Sequence, residues 1–397
     1  MEGTARRAYT GSHPWISFRA DLSRAPAELW MLLGEARSKV EHLSLALLKP
    51  DVAEAMLALY LAKGAQATTA IEGNTLSEAV VAEIVAGEAA PPAPSQEYLY
   101  REVENVLAGF NAITDHLLGG GDPRLTPSMV KDFNRTVLEG FGDGALRPGE
   151  YRAHSVVVGR YRGAPAEDCE YLVARLCDWL KGPDFESVDP DWAVPYALIK
   201  AAMAHLYLAW IHPFQDGNGR TARLMELQIL LAAEVPMPAA HLLSNHYNAT
   251  RAHYYSQLQH ASESGGDVVG FVHYAMRGFV DGIRAQIERV WEQQYADRWE
   301  QFIHESFGGQ ATSDAERRRL HLALELSKQD QPTTRRDIRR LSPRLATAYA
   351  GTQRMLSRDL NALEALGLVE QVRHGLWRAR KEQILAFRPL RRQRGAV

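Results

Sequence analysis

Cysteine is nearly absent from this chain. Its 397 residues include only Cys169 and Cys177, too few for a disulfide framework and without the C-x-x-C spacing of a zinc site. Both are read as ordinary buried or half-buried thiols, and their scarcity fits a reducing compartment. Long apolar runs are missing too: nowhere do eighteen uncharged apolar residues follow one another, and residues 1–17 mix charge, Gly and Pro without an apolar core. Neither a spanning helix nor a signal peptide is therefore expected, and the expectation is a soluble, cytoplasmic protein with no membrane partner. No repeat of fixed period is visible, and no low-complexity tract beyond a Pro/Ala-rich stretch at 87–95. A composition 46% hydrophobic and 23% charged excludes disorder as the default, and the length allows two or three domains.

What is present is helical periodicity, as in Leu57 and Leu61 and again in Leu206, Leu224 and Leu227, so the fold class is mainly α. Breaks at 87–95, 119–123, 182–190 and 265–267 divide helices within one body. A long amphipathic pattern through Phe271, Phe279, Ile283, Ile287 and Trp291 runs to Gly308-Gly309, where the main domain boundary is placed. The net charge of −3 hides an asymmetry: residues 331–397 hold 15 Lys/Arg against 5 Asp/Glu, leaving −13 on the other 330 residues. A basic tail on an acidic body predicts two functions or two partners.

Residues 212–223 read His212-Pro213-Phe214-Gln215-Asp216-Gly217-Asn218-Gly219-Arg220-Thr221-Ala222-Arg223, a loop opening into an apolar helical run at 224–231. Glycines on both sides of Asn218 let backbone N–H groups turn toward an oxyanion, and a helix N-terminus behind them adds positive partial charge. That geometry suits a diphosphate. Arg220 and Arg223, three apart, reach one anion from a single helical turn. Asp216 offers a hard oxygen ligand for Mg²⁺, and His212 an imidazole able to take a proton from a hydroxyl.

The string resembles the Fic family signature H-P-F-x-D/E-G-N-G-R-x-x-R at all nine fixed positions. The resemblance implies a Fic helical core and a protein adenylyltransferase that moves AMP from ATP to a Tyr, Thr or Ser hydroxyl of a target protein or of the chain itself. It makes His212 the general base, Asp216 the Mg²⁺ ligand, and Gly217, Asn218 and Gly219 the anion-binding turn. Arg220 and Arg223 would hold the triphosphate. Pro213 and Phe214 are assigned to shaping the loop, and His205, on the apolar stripe ahead of it, to the core.

A second string, Thr68-Thr69-Ala70-Ile71-Glu72-Gly73-Asn74, resembles the family's inhibitory motif (S/T)-x-x-x-E-(G/N). By that resemblance Glu72 pairs with Arg223 and takes the γ-phosphate position. An arginine engaged by a carboxylate cannot orient a phosphate. Residues 147–152 lead into Ser155-Val156-Val157-Val158-Gly159 and then a turn-rich stretch, which predicts a hairpin. In Fic relatives a hairpin here, the flap, pairs with the extended backbone of the target. Residues 243–251 with Tyr254-Tyr255 resemble the segment bordering the base and ribose; Tyr255 is carried as nucleotide-binding, with a core-aromatic reading beside it.

In the tail, residues 333–341 look like a helix start, a longer helix runs over about 349–366, and 369–380 alternates around His374-Gly375. Helix, helix and hairpin resemble a winged-helix domain. Arg335, Arg336, Arg339, Arg354, Arg358, Arg373 and Arg378 are its candidate phosphate contacts, for DNA or for an acidic protein face. The expected organisation is an N-terminal helical region with the inhibitory motif at 1–110, a Fic core at 111–307 and a winged helix at 310–397. Two other readings stay open: removal of AMP with Glu72 positioning a water, and a DNA-binding regulator around an inactive Fic body. Self-association into a homodimer is left open as well.

Overall fold

A computed structural model describes residues 7–141, 144, 146–187, 189–309, 311–350 and 353–385. The chain divides into two compact units, Met1–Glu288 and Arg289–Val397. The principal helices of the first are α1 (Ala27–Ser44), α2 (Pro50–Ile71), α3 (Glu97–Leu118), α4 (Pro127–Val137), α5 (Ala193–Ile211), α6 (Asn218–Ala232) and α7 (Arg251–Glu263), followed by the start of α8 (Val269–Ser306). Starts and stops follow local chemistry. Pro50 and Pro127 stand at the first helical positions of α2 and α4, where a missing N–H is harmless. The Thr126 hydroxyl accepts the Met129 N–H at 3.2 Å, capping α4.

Helix α5 is apolar all round, which is the signature of a buried helix. It lies against α6, and Leu198, Met203, Leu206, Leu208 and Ile211 are inaccessible to solvent. Residues 190–211 are long and apolar enough to cross a membrane by length and composition, but 72% of the most apolar 18 residues in that stretch is buried inside the protein. One hydrophobic core runs through the unit, from Leu29 and Ile71 through Val103, Val130 and Leu224 to Phe279. The N-terminal helices share it with the rest, and α3 crosses residue 110 without a break.

The expected hairpin consists of β1 (Val157–Val158) and β2 (Tyr161–Arg162), paired antiparallel with Val157 opposite Arg162. Its two-residue turn is Gly159-Arg160, with Gly159 at φ 59°, a left-handed conformation open to glycine at little cost.

The boundary expected at Gly308-Gly309 falls instead inside α8. The helix's first half gives Phe271, Phe279 and Ile283 to the first core, whereas Trp299 and Ile303 belong to a second core with Leu322, Leu326, Leu345, Leu360 and Trp377. The glycine pair, at φ 67° and 81°, lies in the turn one residue beyond the helix end at Ser306. The second unit continues with α9 (Asp314–Ser327), β3 (Thr333–Thr334), short helices at Arg335–Ile338 and Pro343–Ala348, α10 (Gln353–Ala365), β4 (Val369–Arg373) and β5 (Leu376–Ala379). Its three strands are antiparallel in the order β3-β5-β4. Residues 333–334, expected to open a helix, form an edge strand against β5, and the helix begins at Arg335 under a Thr334 cap. Four of the tail's basic residues, Arg388, Arg391, Arg392 and Arg394, lie outside the described residues.

Candidate active site

His212 is the residue on which α5 stops. Its backbone is left-handed (φ 48°, ψ 59°), which costs a residue with a Cβ roughly 1–2 kcal/mol and must be held by its surroundings. They are visible: the His212 carbonyl accepts the Arg152 Nε–H at 2.7 Å, and the Pro213 carbonyl accepts the Arg152 backbone N–H at 3.0 Å. Burial pushes the imidazole pKa down to about 4, with Arg152 acting in the same direction, against a backbone hydrogen bond at Ala209 and the charges of Glu72 and Asp216. The ring is therefore neutral, and able to accept a proton, at pH 7.

The loop that follows is closed by its own asparagine. Asn218 accepts the Phe214 N–H through Oδ1 and donates through Nδ2 to the Phe214 carbonyl, both at 2.9 Å. The side chain carried from the sequence as part of an anion-binding turn is thus consumed in shaping that turn, leaving backbone N–H groups for a ligand. Gly217, at φ 74°, is the N-cap of α6. A second asparagine, Asn134 on α4, donates to the Asp216 carbonyl at 2.9 Å and accepts the Gly149 N–H at 2.9 Å. Sequence reasoning passed over Asn134, since nothing in its own neighbourhood marks it.

Glu72, the C-cap of α2, meets Arg223 as the resemblance implies: Arg223 Nη2 donates to Glu72 Oε1 at 2.6 Å and to the Thr68 carbonyl at 2.9 Å. The guanidinium side of this pair is 1% exposed and the carboxylate 31%, so Glu72 stands at the open edge of the site. Burial works to raise the Glu72 pKa, but the Arg223 charge and hydrogen bond, with Arg220 and His212 behind them, hold it below the ordinary carboxylate range. A Cβ placed on Gly219 would lie 2.2 Å from Glu72 Oε1, so only glycine admits the carboxylate here. Arg220 has its own partner, missed in the sequence: Glu102 on α3 accepts from Nη1 at 3.0 Å and also takes a hydrogen bond from Asn74 at 2.9 Å.

Tyr255 is half-exposed beside the end of α2, its hydroxyl donating to the Ile71 carbonyl at 3.3 Å, while Arg251 donates to the Ala70 carbonyl. Tyr254 points into the core, where it bonds His205 Nε2 at 2.7 Å. His205 Nδ1 lies 3.2 Å from Glu226, deep in the protein.

The donor set suits a polyphosphate with its magnesium. Arg223 Nε and Nη1 and Arg220 Nε are buried without an acceptor among the described residues, and unpaired buried donors are costly unless a ligand completes them. Asp216, its side chain 61% exposed, lies 3.5 Å from Arg220 Nη2. No group of three or more metal-type ligands occurs among the described residues; a single open carboxylate beside an anion turn matches the way Mg²⁺ binds, through one or two carboxylates plus phosphate oxygens.

The profile of the Fic/DOC family matches residues 124–230. The protein adenylyltransferase fic-1 of Caenorhabditis elegans is 31% identical over 214 residues, 53% of this chain and 38% of that one. The protein adenylyltransferase Fic of Nematostella vectensis is 30% identical over 210 residues, 53% of this chain and 45% of that one. The chain thus spans less than half the length of these curated relatives. Among solved structures, a Fic family protein of Desulfovibrio desulfuricans superposes with a TM-score of 0.54 at 21% identity, over 89% of this chain and 96% of that one, a likeness of fold. A fragment of C. elegans Fic-1 superposes with a TM-score of 0.52 at 25% identity, over 67% of this chain and 74% of that one. The segment from 124 to 230, which holds the hairpin, α5, His212 and the glycine turn of α6, is the part of the chain that matches the Fic/DOC family.

Proposed function

We propose that the chain is a protein adenylyltransferase, moving AMP from ATP to a Tyr, Thr or Ser hydroxyl of a target protein, and that Glu72 keeps it slow at rest. The observation that carries this reading is the Arg223 guanidinium: buried, with two donors unpaired, and its remaining arm clamped by a carboxylate at the open edge of the site. Relatives named protein adenylyltransferase support the reaction class.

In this reading His212, neutral at pH 7, takes the hydroxyl proton. The hydroxyl oxygen bonds to the α-phosphorus as the bond to the β-phosphate oxygen breaks, and pyrophosphate leaves. The N–H groups at the start of α6, with Arg220 and Arg223, hold the phosphate charge, so the protein contributes positioning and preorganised electrostatics. Asp216 would hold Mg²⁺, which when bound supplies charge neutralisation on the phosphate oxygens. With Arg223 on Glu72, the triphosphate is misplaced, and about 1 Å of misplacement costs roughly a hundredfold in rate. ATP labelled at the α or the γ phosphate tests the reaction: α-label on protein is expected, and label arriving only from the γ position would contradict it.

A second partner is suggested by the C-terminal unit, which we read as a winged helix binding duplex DNA. The structure revises which arginines are available. Arg378 is held by Glu370 and Glu382, and Arg335 lies over the Trp377 ring at 5.8 Å. Arg354 and Arg358, one turn apart on α10, are exposed on the face opposite Leu356 and Leu360, without an ion pair among the described residues. Replacing both by alanine in the full chain is expected to weaken DNA binding uniformly across sequences and to reduce the salt slope by about 2. No DNA binding by the parent at low salt would remove this reading.

A further inference from the structure

Four successive carbonyls at and just beyond the end of α5 accept hydrogen bonds from two residues, Arg152 and Tyr161. Trp210 takes the Tyr161 hydroxyl at 2.8 Å, Ile211 takes Arg152 Nη2 at 3.4 Å, His212 takes Arg152 Nε at 2.7 Å, and Pro213 takes the Arg152 backbone N–H at 3.0 Å. The same guanidinium reaches back to both arms of the hairpin, donating through Nη1 to the His154 carbonyl at 2.7 Å and through Nη2 to the Ala164 carbonyl. Arg152 is 7% exposed and has no carboxylate within ion-pair distance among the described residues. A buried cation so placed is balanced by carbonyl oxygens and by the negative end of a 19-residue helix. Gly163 allows the approach: a Cβ there would stand 3.0 Å from both Arg152 Nη2 and His212 Cβ.

We propose that Arg152 is the positioning residue of the His212 base, its planar fork fixing the carbonyls on either side of the left-handed turn and, through them, the direction in which the imidazole points. The proposal rests on the transfer reaction inferred above, in which His212 takes the proton. It explains how a helix ends on a strained histidine where glycine is usual: five donors in fixed geometry replace the freedom that glycine would bring. Lysine in its place keeps the charge and loses the fork. Methionine loses both.

Two roles of the side chain separate on that difference. Geometry belongs to the fork, whereas the charge of Arg152 helps to keep the ring neutral, against Glu72 and Asp216, which pull its pKa upward. The test uses the full chain carrying Glu72→Gly, with Arg152→Lys and Arg152→Met added singly. Turnover with ATP is expected to fall about a hundredfold in both, in kcat and with little change in the KM for ATP. NMR titration of the His212 ring is expected to show an upward shift in Arg152→Met and none in Arg152→Lys.

The titration needs no turnover, so it reports on Arg152 and His212 even if the chain transfers something other than AMP. A folded Arg152→Met protein whose ring titrates as in the parent overturns the proposal, as does kcat equal to the parent in Arg152→Lys or a loss confined to KM. If Arg152→Met does not fold, Arg152→Lys decides: a hundredfold loss in kcat with an unmoved titration supports the assignment, and parent-like kcat ends it.

Discussion

Glu72 and Arg223 stand 151 positions apart in the chain and 2.6 Å apart in the fold. Their contact shows what a single residue can and cannot announce. Residues 212–223 are contiguous, so the loop chemistry was legible as a string. Arg152, Glu102 and Asn134 were not, because each acts on backbone carbonyls or on a partner far away in sequence, and no spacing rule marks such a residue. Asn218 was legible in position but not in use, since its two bonds to Phe214 exist only once the turn has closed. His212 carries a prediction of its own. Its pKa is depressed from about 6.5 in the unfolded chain to about 4 in the fold. The neutral ring's contribution to stability is therefore fully present above about pH 6.5 and is lost as pH falls toward 4. His212→Ala removes this dependence, so thermal melts between pH 7 and pH 4 are expected to show wild type losing of order 1–3 kcal/mol relative to the variant. Parallel melting curves would contradict the burial of a neutral base.

At the scale of elements, helix α2 is the lever that brings Glu72 to the site. Its C-terminal carbonyls are tied down by Arg223, Arg251 and Tyr255, and its middle rests on a histidine. A Cβ at Gly64 would fall 2.5 Å from the His241 ring, which is wholly buried against Phe110 at a centroid distance of 4.5 Å and has no room to retreat. Gly64→Ala gains about 1 kcal/mol of helix propensity but overpacks a filled core, which costs typically 1–3 kcal/mol. Overpacking wins because the ring cannot yield. The variant is expected to melt lower and, because α2 is displaced eight residues before Glu72, to label protein from ATP faster than wild type; a higher melting temperature with unchanged labelling would show that α2 does not bear on the site. The hairpin was legible from its β-branched run, whereas the stapling of its arms to α5 by one guanidinium was not.

For the whole molecule, mainly helical character followed from periodicity. The division into units did not, because a glycine pair is conspicuous in sequence and a change of packing partner along a continuous helix is silent. Helix α8 keeps its pattern while the core it serves changes between Ile283 and Trp299. The charge asymmetry was plain from composition, yet which arginines remain free depended on ion pairs such as Arg318 and Arg319 with the buried Asp359. The three scales meet in the proposed transfer site, whose last arginine is held by a carboxylate on another helix. Its most direct measurement is incorporation of α-labelled ATP into protein by the wild-type chain, by Glu72→Gly, and by Glu72→Gly combined with His212→Ala. Weak labelling is expected from wild type, labelling raised on the order of a hundredfold from Glu72→Gly, and none from the double variant. Equal labelling by wild type and Glu72→Gly, or labelling that survives loss of His212, would contradict the proposed function.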